Sequence, residues 1–162
     1  MTEVASLPYR SCVGIMLLNR DGLVFVGQRL NMAETAWQMP QGGIDAGESP
    51  REAALRELLE EIGTNNAEII AVRDDWLNYD LPDEIQTKIW DGKYRGQTQK
   101  WIAMRFKDND TAINIRTEHP EFRAWKWLPV TKLASEIVAF KRPIYKQVVD
   151  GFGHLARHNP ND

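Results

Sequence analysis

The stretch Gly42-Gly43-Ile44-Asp45-Ala46-Gly47-Glu48-Ser49-Pro50-Arg51-Glu52-Ala53-Ala54-Leu55-Arg56-Glu57-Leu58-Leu59-Glu60-Glu61-Ile62-Gly63 decides how this chain is read. It is a glycine-rich loop that runs directly into a helix. Ser49 has a side chain suited to an N-cap, Pro50 suits the first helical position, and Glu52 stands where a capping box places its carboxylate. Gly63 supplies a C-terminal stop. The signals predict a helix over Pro50–Ile62. At about 100° per residue, Leu55, Leu58, Leu59 and Ile62 fall on one apolar side that should pack on a core. Glu57, Glu60 and Glu61 gather on the opposite side.

Like charges three and four residues apart repel on a helix by roughly 0.2–0.5 kcal/mol per pair. Glu60 and Glu61 also sit in the last turn, where the helix dipole favours cations. A divalent cation converts this repulsion into ligation, because hard ions such as Mg2+ and Mn2+ prefer carboxylate oxygens. The rival reading is a solvated acidic face neutralised in part by Arg56, four residues after Glu52 and four before Glu60. The loop argues for the ion: Gly42, Gly43 and Gly47 let backbone N–H groups approach a phosphate at a helix N-terminus.

These residues resemble the signature of the Nudix hydrolases: a Gly, five residues, a Glu, seven residues, then Arg-Glu-apolar-any-Glu-Glu-any-Gly-apolar. The chain supplies Gly42, Glu48 and Arg56-Glu57-Leu58-Leu59-Glu60-Glu61-Ile62-Gly63, and departs only at Thr64, a packing position. The resemblance implies an α/β Nudix fold, a mixed β-sheet between helices carrying this loop-helix-loop box. It further implies that Glu57, Glu60 and Glu61 are metal ligands, with Gly42 placed at the same site, that Glu48 assists, and that Arg56 orients the cluster. The implied cofactor is Mg2+ or Mn2+, with more than one ion when substrate is bound.

The chain has 162 residues, 43% hydrophobic and 27% charged, enough for one domain (1–162, core about 8–155) with its own core. No apolar run approaches the length of a membrane span, and no basic-then-apolar start suggests a signal peptide. Cys12 is the only cysteine, so no internal disulfide forms, consistent with a reducing cytoplasm. His119, His154 and His158 lack zinc spacing. The net charge of −3 argues against tracking along a DNA duplex, which calls for a basic surface. A nucleic-acid substrate would be gripped by its end. A monomer is expected.

Cys12 to Leu18 reads as a buried strand, Asn19 to Gly22 as a turn, and Leu23 to Gln28 as the returning strand of a hairpin. Further strands are predicted over Ala67–Arg73, Lys100–Lys107 and Phe122–Leu128. Asp74 to Gly96 reads as a long functional loop with short strands. A short helix is expected over Val130–Val138, and an amphipathic one opening at Pro143. Trp37, Trp101, Trp125 and Trp127 are expected in the core, and residues 157–162 as a frayed polar tail.

Phosphoanhydride cleavage needs an acceptor for the proton of the attacking water, and geometry selects it more than pKa does. Glu121, in a loop entering a strand, is the candidate, with Glu118 as competitor. Nearly the whole chain (about 8–155) resembles one Nudix branch, the bacterial RNA pyrophosphohydrolases and the related dinucleoside polyphosphate hydrolases. The segments carrying this are Tyr9-Arg10 with Val13-Gly14, Trp37 to Gly43, Trp76 to Pro82, Gly96 to Trp101, Pro120-Glu121-Phe122 and Phe140-Lys141-Arg142. That resemblance implies that Glu121 joins the metal site. It also points to Arg10, Gln38, Gln97, Lys100 and Lys141 as phosphate or nucleotide contacts, and to Tyr79 and Phe140 as base-stacking residues. Phe140 could equally cover a helix junction, and Lys141 could be a solvated helix start. The expected activity is removal of pyrophosphate from 5′-triphosphorylated RNA, leaving a 5′-monophosphate. Asymmetric hydrolysis of dinucleoside polyphosphates is the rival, and a non-catalytic nucleotide- or RNA-binding domain the third reading.

Overall fold

The computed structural model describes residues 4–30 and 36–156; the tail expectation for 157–162 falls outside them. Its frame is a seven-stranded mixed sheet. Strand β1 (Tyr9–Leu18) is followed by β2 (Val24–Arg29), the short β3 (Gln41–Gly43), helix α1 (Pro50–Ile62), β4 (Ala67–Val72), β5 (Leu77–Asp80), α2 (Asp83–Gln86), β6 (Gly96–Phe106), β7 (Phe122–Leu128), α3 (Leu133–Glu136) and α4 (Arg142–Phe152).

β1 and β6 form a parallel pair from Tyr9 opposite Gly96 to Leu18 opposite Arg105. Each end of this pair takes different partners. β3 and β5 flank it near Gly96, while β2 and β4 flank it near Phe106. The sheet therefore forks, and the β3–β5 end is where the glycine loop emerges. Both faces are covered. Val13, Ile15 and Leu17 face α1 with Leu58, Ile62 and Ile102. Met16 and Leu18 face the α3–α4 side with Trp101, Ile144, Tyr145 and Val148. Burial on both faces explains why the Cys12–Leu18 part of β1 is continuously apolar rather than alternating.

Helix α1 has both predicted caps. The Ser49 hydroxyl accepts from the Glu52 N–H, Glu52 reaches back to the Ser49 N–H, and Gly63 closes the helix with φ of 80°. Its buried face differs from the helical-wheel expectation: Leu59 is 48% exposed, whereas Glu61 is 2% exposed among Ala53, Ala54, Leu58 and Ile62. α1 docks on both β1 and β3, and that second contact rotates the covered face toward Glu61. The predicted helix over Val130–Val138 is a 3-10 turn (Val130–Lys132) followed by α3, ending at Ile137 in extended backbone. Asp74 to Gly96 is more ordered than a loop, since it carries β5, α2 and a 3-10 turn at Trp90–Gly92. Trp101 is fully buried; Trp37, Trp125 and Trp127 are partly buried at the edge of the core.

Two contacts join the site to the core. Gly14 lies opposite Trp101, whose ring is so close that a Cβ on Gly14 would sit 2.5 Å from it. The buried Tyr145 hydroxyl accepts the Met39 N–H at 2.7 Å, holding the segment that leads into β3. Tyr145→Phe leaves that buried N–H without a partner, at a cost of about 1–3 kcal/mol. Thermal melting should show a loss of roughly 2–4 °C per kcal/mol for a chain of this size.

Candidate active site

At the forked end a pocket of about 550 Å³ opens between α1, the starts of β1 and β6, and the Asp74–Gly96 segment. One wall is acidic: Glu57 and Glu61 from α1, and Glu121 from the loop before β7. Arg10, Arg29 and Lys141 supply positive charge, Gln41 and Gln97 supply amides, and Leu81, Ile85, Ile89, Trp90 and Phe140 supply apolar and aromatic surface.

Arg56 organises the acidic wall from behind. Its Nε and Nη2 donate to the two Glu48 oxygens at 2.7 and 2.9 Å, Nη1 donates to Glu57 at 2.9 Å and Glu60 at 3.2 Å, and Nη2 also donates to the Gly43 carbonyl at 2.8 Å. The guanidinium, together with the Asp45 N–H, pulls the Glu48 carboxyl down to about 2. Glu48 thus serves as the anchor of Arg56, and Arg56 holds Glu57 by one oxygen. Gly42 is pressed against Glu57: a Cβ there would lie 2.0 Å from the carboxylate carbon.

Burial raises the pKa of Glu57, and that of Glu61 much further, with the neighbouring acids adding to the Glu61 shift. One buried Glu61 oxygen, Oε2, has no hydrogen-bond partner. Burying an ionised carboxylate without compensation is costly. An orphaned carboxylate oxygen beside a second and third acid in one pocket is suited to a hard cation. Among the described residues no three acidic or imidazole groups form a ready-made cage. Mg2+ does not require one, since it binds through one or two carboxylates and completes its shell with water and substrate phosphate.

The structure sorts the sequence candidates. Glu57, Glu61, Glu121, Gly42, Arg10, Gln97, Tyr79, Phe140 and Lys141 line one pocket. Glu60 does not: its side chain is 58% exposed and held by Arg56. Of the two loop acids, Glu121 lines the pocket, paired with Arg29 at 2.8 Å, while Glu118 is exposed elsewhere. Lys100 is not brought to the pocket either. It alternates to the opposite face of β6 from Gln97, and its ammonium donates to the Asp74 carbonyl at 2.7 Å. Gln38 is 3% exposed and lies behind the lining, where its Oε1 accepts from Lys141 at 3.4 Å. Tyr79 points inward by the alternation of β5, is 8% exposed, and backs Phe140 at 5.8 Å between ring centres. Phe140 is the more accessible of the two rings. Lys141 is buried, not a solvated helix start, and burial lowers its pKa to about 8.

Three polar or aromatic lining groups escaped the sequence reading. Arg29 ends β2, Gln41 immediately precedes the glycine pair, and Trp90 projects from the irregular segment with a positive φ of 50°. Arg10 lies over the Trp90 ring at 5.2 Å. Gln41 had a usable signal, its place beside Gly42; Arg29 and Trp90 had none.

A model of the NUDIX domain matches residues 8–148. The chain belongs to the Nudix family. Similar Nudix proteins include an RNA pyrophosphohydrolase of Roseobacter denitrificans, 58% identical over 94% of this chain and 98% of the relative. Another, from Rhodospirillum rubrum and of the same name, is 57% identical over 98% and 95%. Among solved structures, the Escherichia coli dihydroneopterin triphosphate pyrophosphohydrolase aligns with a TM-score of 0.64 at 19% identity, over 89% of this chain and 99% of that one. An Ap4A hydrolase of C. elegans aligns at 0.59 and 17% identity, over 88% and 98%. At such identities the structural likeness speaks to the Nudix fold alone. No helix among the described residues is long and apolar enough to cross a membrane.

Proposed function

We propose that this Nudix protein is an RNA pyrophosphohydrolase, which converts a 5′-triphosphate end of RNA to a 5′-monophosphate with Mg2+ as cofactor. The observation that carries the reading is the shared pocket, in which three carboxylates face cations and an accessible aromatic ring. The relatives at 57–58% identity over nearly the full chain carry that same name.

Each bound Mg2+ ion would be held by one or two of Glu57, Glu61 and Glu121, and would supply charge neutralisation of the phosphates and a more acidic water. The chain's own groups do the rest. Arg56 keeps the Glu57 carboxylate oriented. Arg10 and Lys141 meet phosphate oxygens, Arg10 through a planar fork and Lys141 as a point charge. Phe140 offers a face for the first base, and such stacking contributes roughly 1–3 kcal/mol without regard to sequence. Glu121 takes the proton of the attacking water, with Arg29 placing its carboxylate.

Lys141 has a pH consequence. Its lowered pKa of about 8 means that the free protein carries the charge below pH 8 and loses it above. The kcat/KM for a 5′-triphosphorylated oligonucleotide should therefore fall as pH rises through about 8. Lys141→Arg, always charged, should remove that limb from the profile; an unchanged limb would assign it to another group.

Trp90 favours a second reading. It gives the pocket a second aromatic ring besides Phe140, stacked under Arg10, which suits a second nucleoside. Direct competition between 5′-triphosphorylated short RNA and adenosine-tetraphosphate-adenosine in Mg2+ tests the two. A clear kcat/KM advantage for RNA supports the proposal, and an advantage for the dinucleotide overturns it. Binding that persists in EDTA without any turnover in Mg2+ would favour a non-catalytic domain.

A further inference from the structure

Behind the pocket lies a closed relay of buried side chains. The Trp101 indole N–H donates to Gln99 Oε1 at 3.0 Å, and Gln99 Nε2 donates to Gln41 Oε1 at 3.0 Å and Gln97 Oε1 at 2.7 Å. Trp101 and Gln99 are at most 1% exposed, whereas Gln41 and Gln97 line the pocket. Gln97 and Gln99 project from the same side of β6 because they are two residues apart, and Gln41 comes from β3 across β1.

The direction of this relay follows from donor chemistry. An indole N–H can only donate, so the Gln99 atom facing it must be the oxygen. The other end of Gln99 is then an NH2 group, which can only donate, and its two hydrogens match its two partners. Gln41 and Gln97 must both turn their oxygens inward. Their own NH2 groups are then left for other partners, and both side chains line the pocket. A free glutamine amide has no such preference, since its ends are nearly the same size and exchange by a half-turn. We propose that Gln99, held by Trp101, is a positioning residue that locks Gln41 and Gln97 with their N–H donors toward the pocket, making this part of the wall a receptor for phosphate oxygens. The inference rests on the polyphosphate reading of the site, but not on which nucleotide carries the phosphates.

Gln99→Glu keeps the acceptor for Trp101 and removes the donor that holds the two glutamines. Their oxygens are then free to face the phosphates. The KM for a 5′-triphosphorylated oligonucleotide and the inhibition constant of inorganic tripolyphosphate should rise together, by about tenfold for each donor turned away. The kcat should change far less. Gln99→Met, which removes the same donor without adding charge, should show the same split. If both constants stay within about twofold of wild type in a folded variant, the proposal is overturned. A test without variants uses the wild-type protein with Mg2+. In a 15N correlation spectrum, the Gln41 and Gln97 side-chain NH2 signals should move on adding tripolyphosphate, and the Gln99 signal should move least. Unmoved Gln41 and Gln97 signals alongside saturable tripolyphosphate inhibition would defeat the relay and leave the hydrolase reading intact. A preference for the dinucleotide over RNA would overturn the RNA reading and leave the relay intact.

Discussion

Glu61→Gln should cost at least about 100-fold in kcat/KM at saturating Mg2+, because even the outer partners of metal ligands are worth about 10–100-fold. The same variant should melt higher than wild type when metal is withheld. The two outcomes share one cause. Glu61 is 2% exposed, and its Oε2 has no hydrogen-bond partner. Glu57 and Glu121 add repulsion to the burial. A neutral amide of the same shape relieves that penalty, but it offers a cation a far poorer oxygen. Adding Mg2+ should therefore raise the wild-type melting temperature by a larger margin than that of the variant, since a ligand that binds only the folded state stabilises it by mass action. Calorimetry with and without Mg2+, together with steady-state kinetics, reads both. Full activity in Glu61→Gln would remove Glu61 from the metal site, and with it the reading of the acidic wall.

Gly42→Ala should reduce kcat/KM by a comparable factor while leaving the fold intact. The added Cβ would fall 2.0–2.5 Å from the Glu57 carboxyl atoms, so that carboxylate has to leave its place beside Arg56. A displacement of about 1 Å at a reacting group can cost roughly 100-fold. Gly43→Ala is the control. Its Cβ would meet Arg10 Nη2 at 2.5 Å, the far end of a flexible side chain that can move aside. Its loss should be several-fold smaller. A normal rate in Gly42→Ala would show that Glu57 tolerates displacement and is not critically placed.

The box was legible because its signals are local. Ser49, Pro50, Glu52 and Gly63 cap a helix through backbone groups within three or four residues of themselves, so their effect does not depend on what packs nearby. Strand β7 was legible too, since Phe122 to Leu128 brings its bounds with it in alternation and flanking Pro120 and Pro129. The site was legible only in part. A helical wheel gives the angle of each side chain but not the number of surfaces the helix touches. α1 meets β3 as well as β1, and this exposes Leu59, buries Glu61 and leaves Glu60 to Arg56. Lys100 illustrates the same limit on a strand. Its segment is a strand as the sequence predicts, but β6 begins at Gly96, not Lys100, and the parity that brings Gln97 into the pocket sends Lys100 to the other face.

The sequence by itself determined the family, the helix with its caps, and the kind of chemistry, because those follow from residue types at fixed short spacing. The tertiary structure alone decided which of the acids meet, that Arg29, Gln41 and Trp90 join them, and that Lys141 is buried. These groups lie far apart along the chain, Arg29 and Glu121 by 92 residues, and only the forked sheet sets the distances between them. Charge pairing, orphaned oxygens and the polarity of an amide relay all depend on such distances, and no local pattern encodes them.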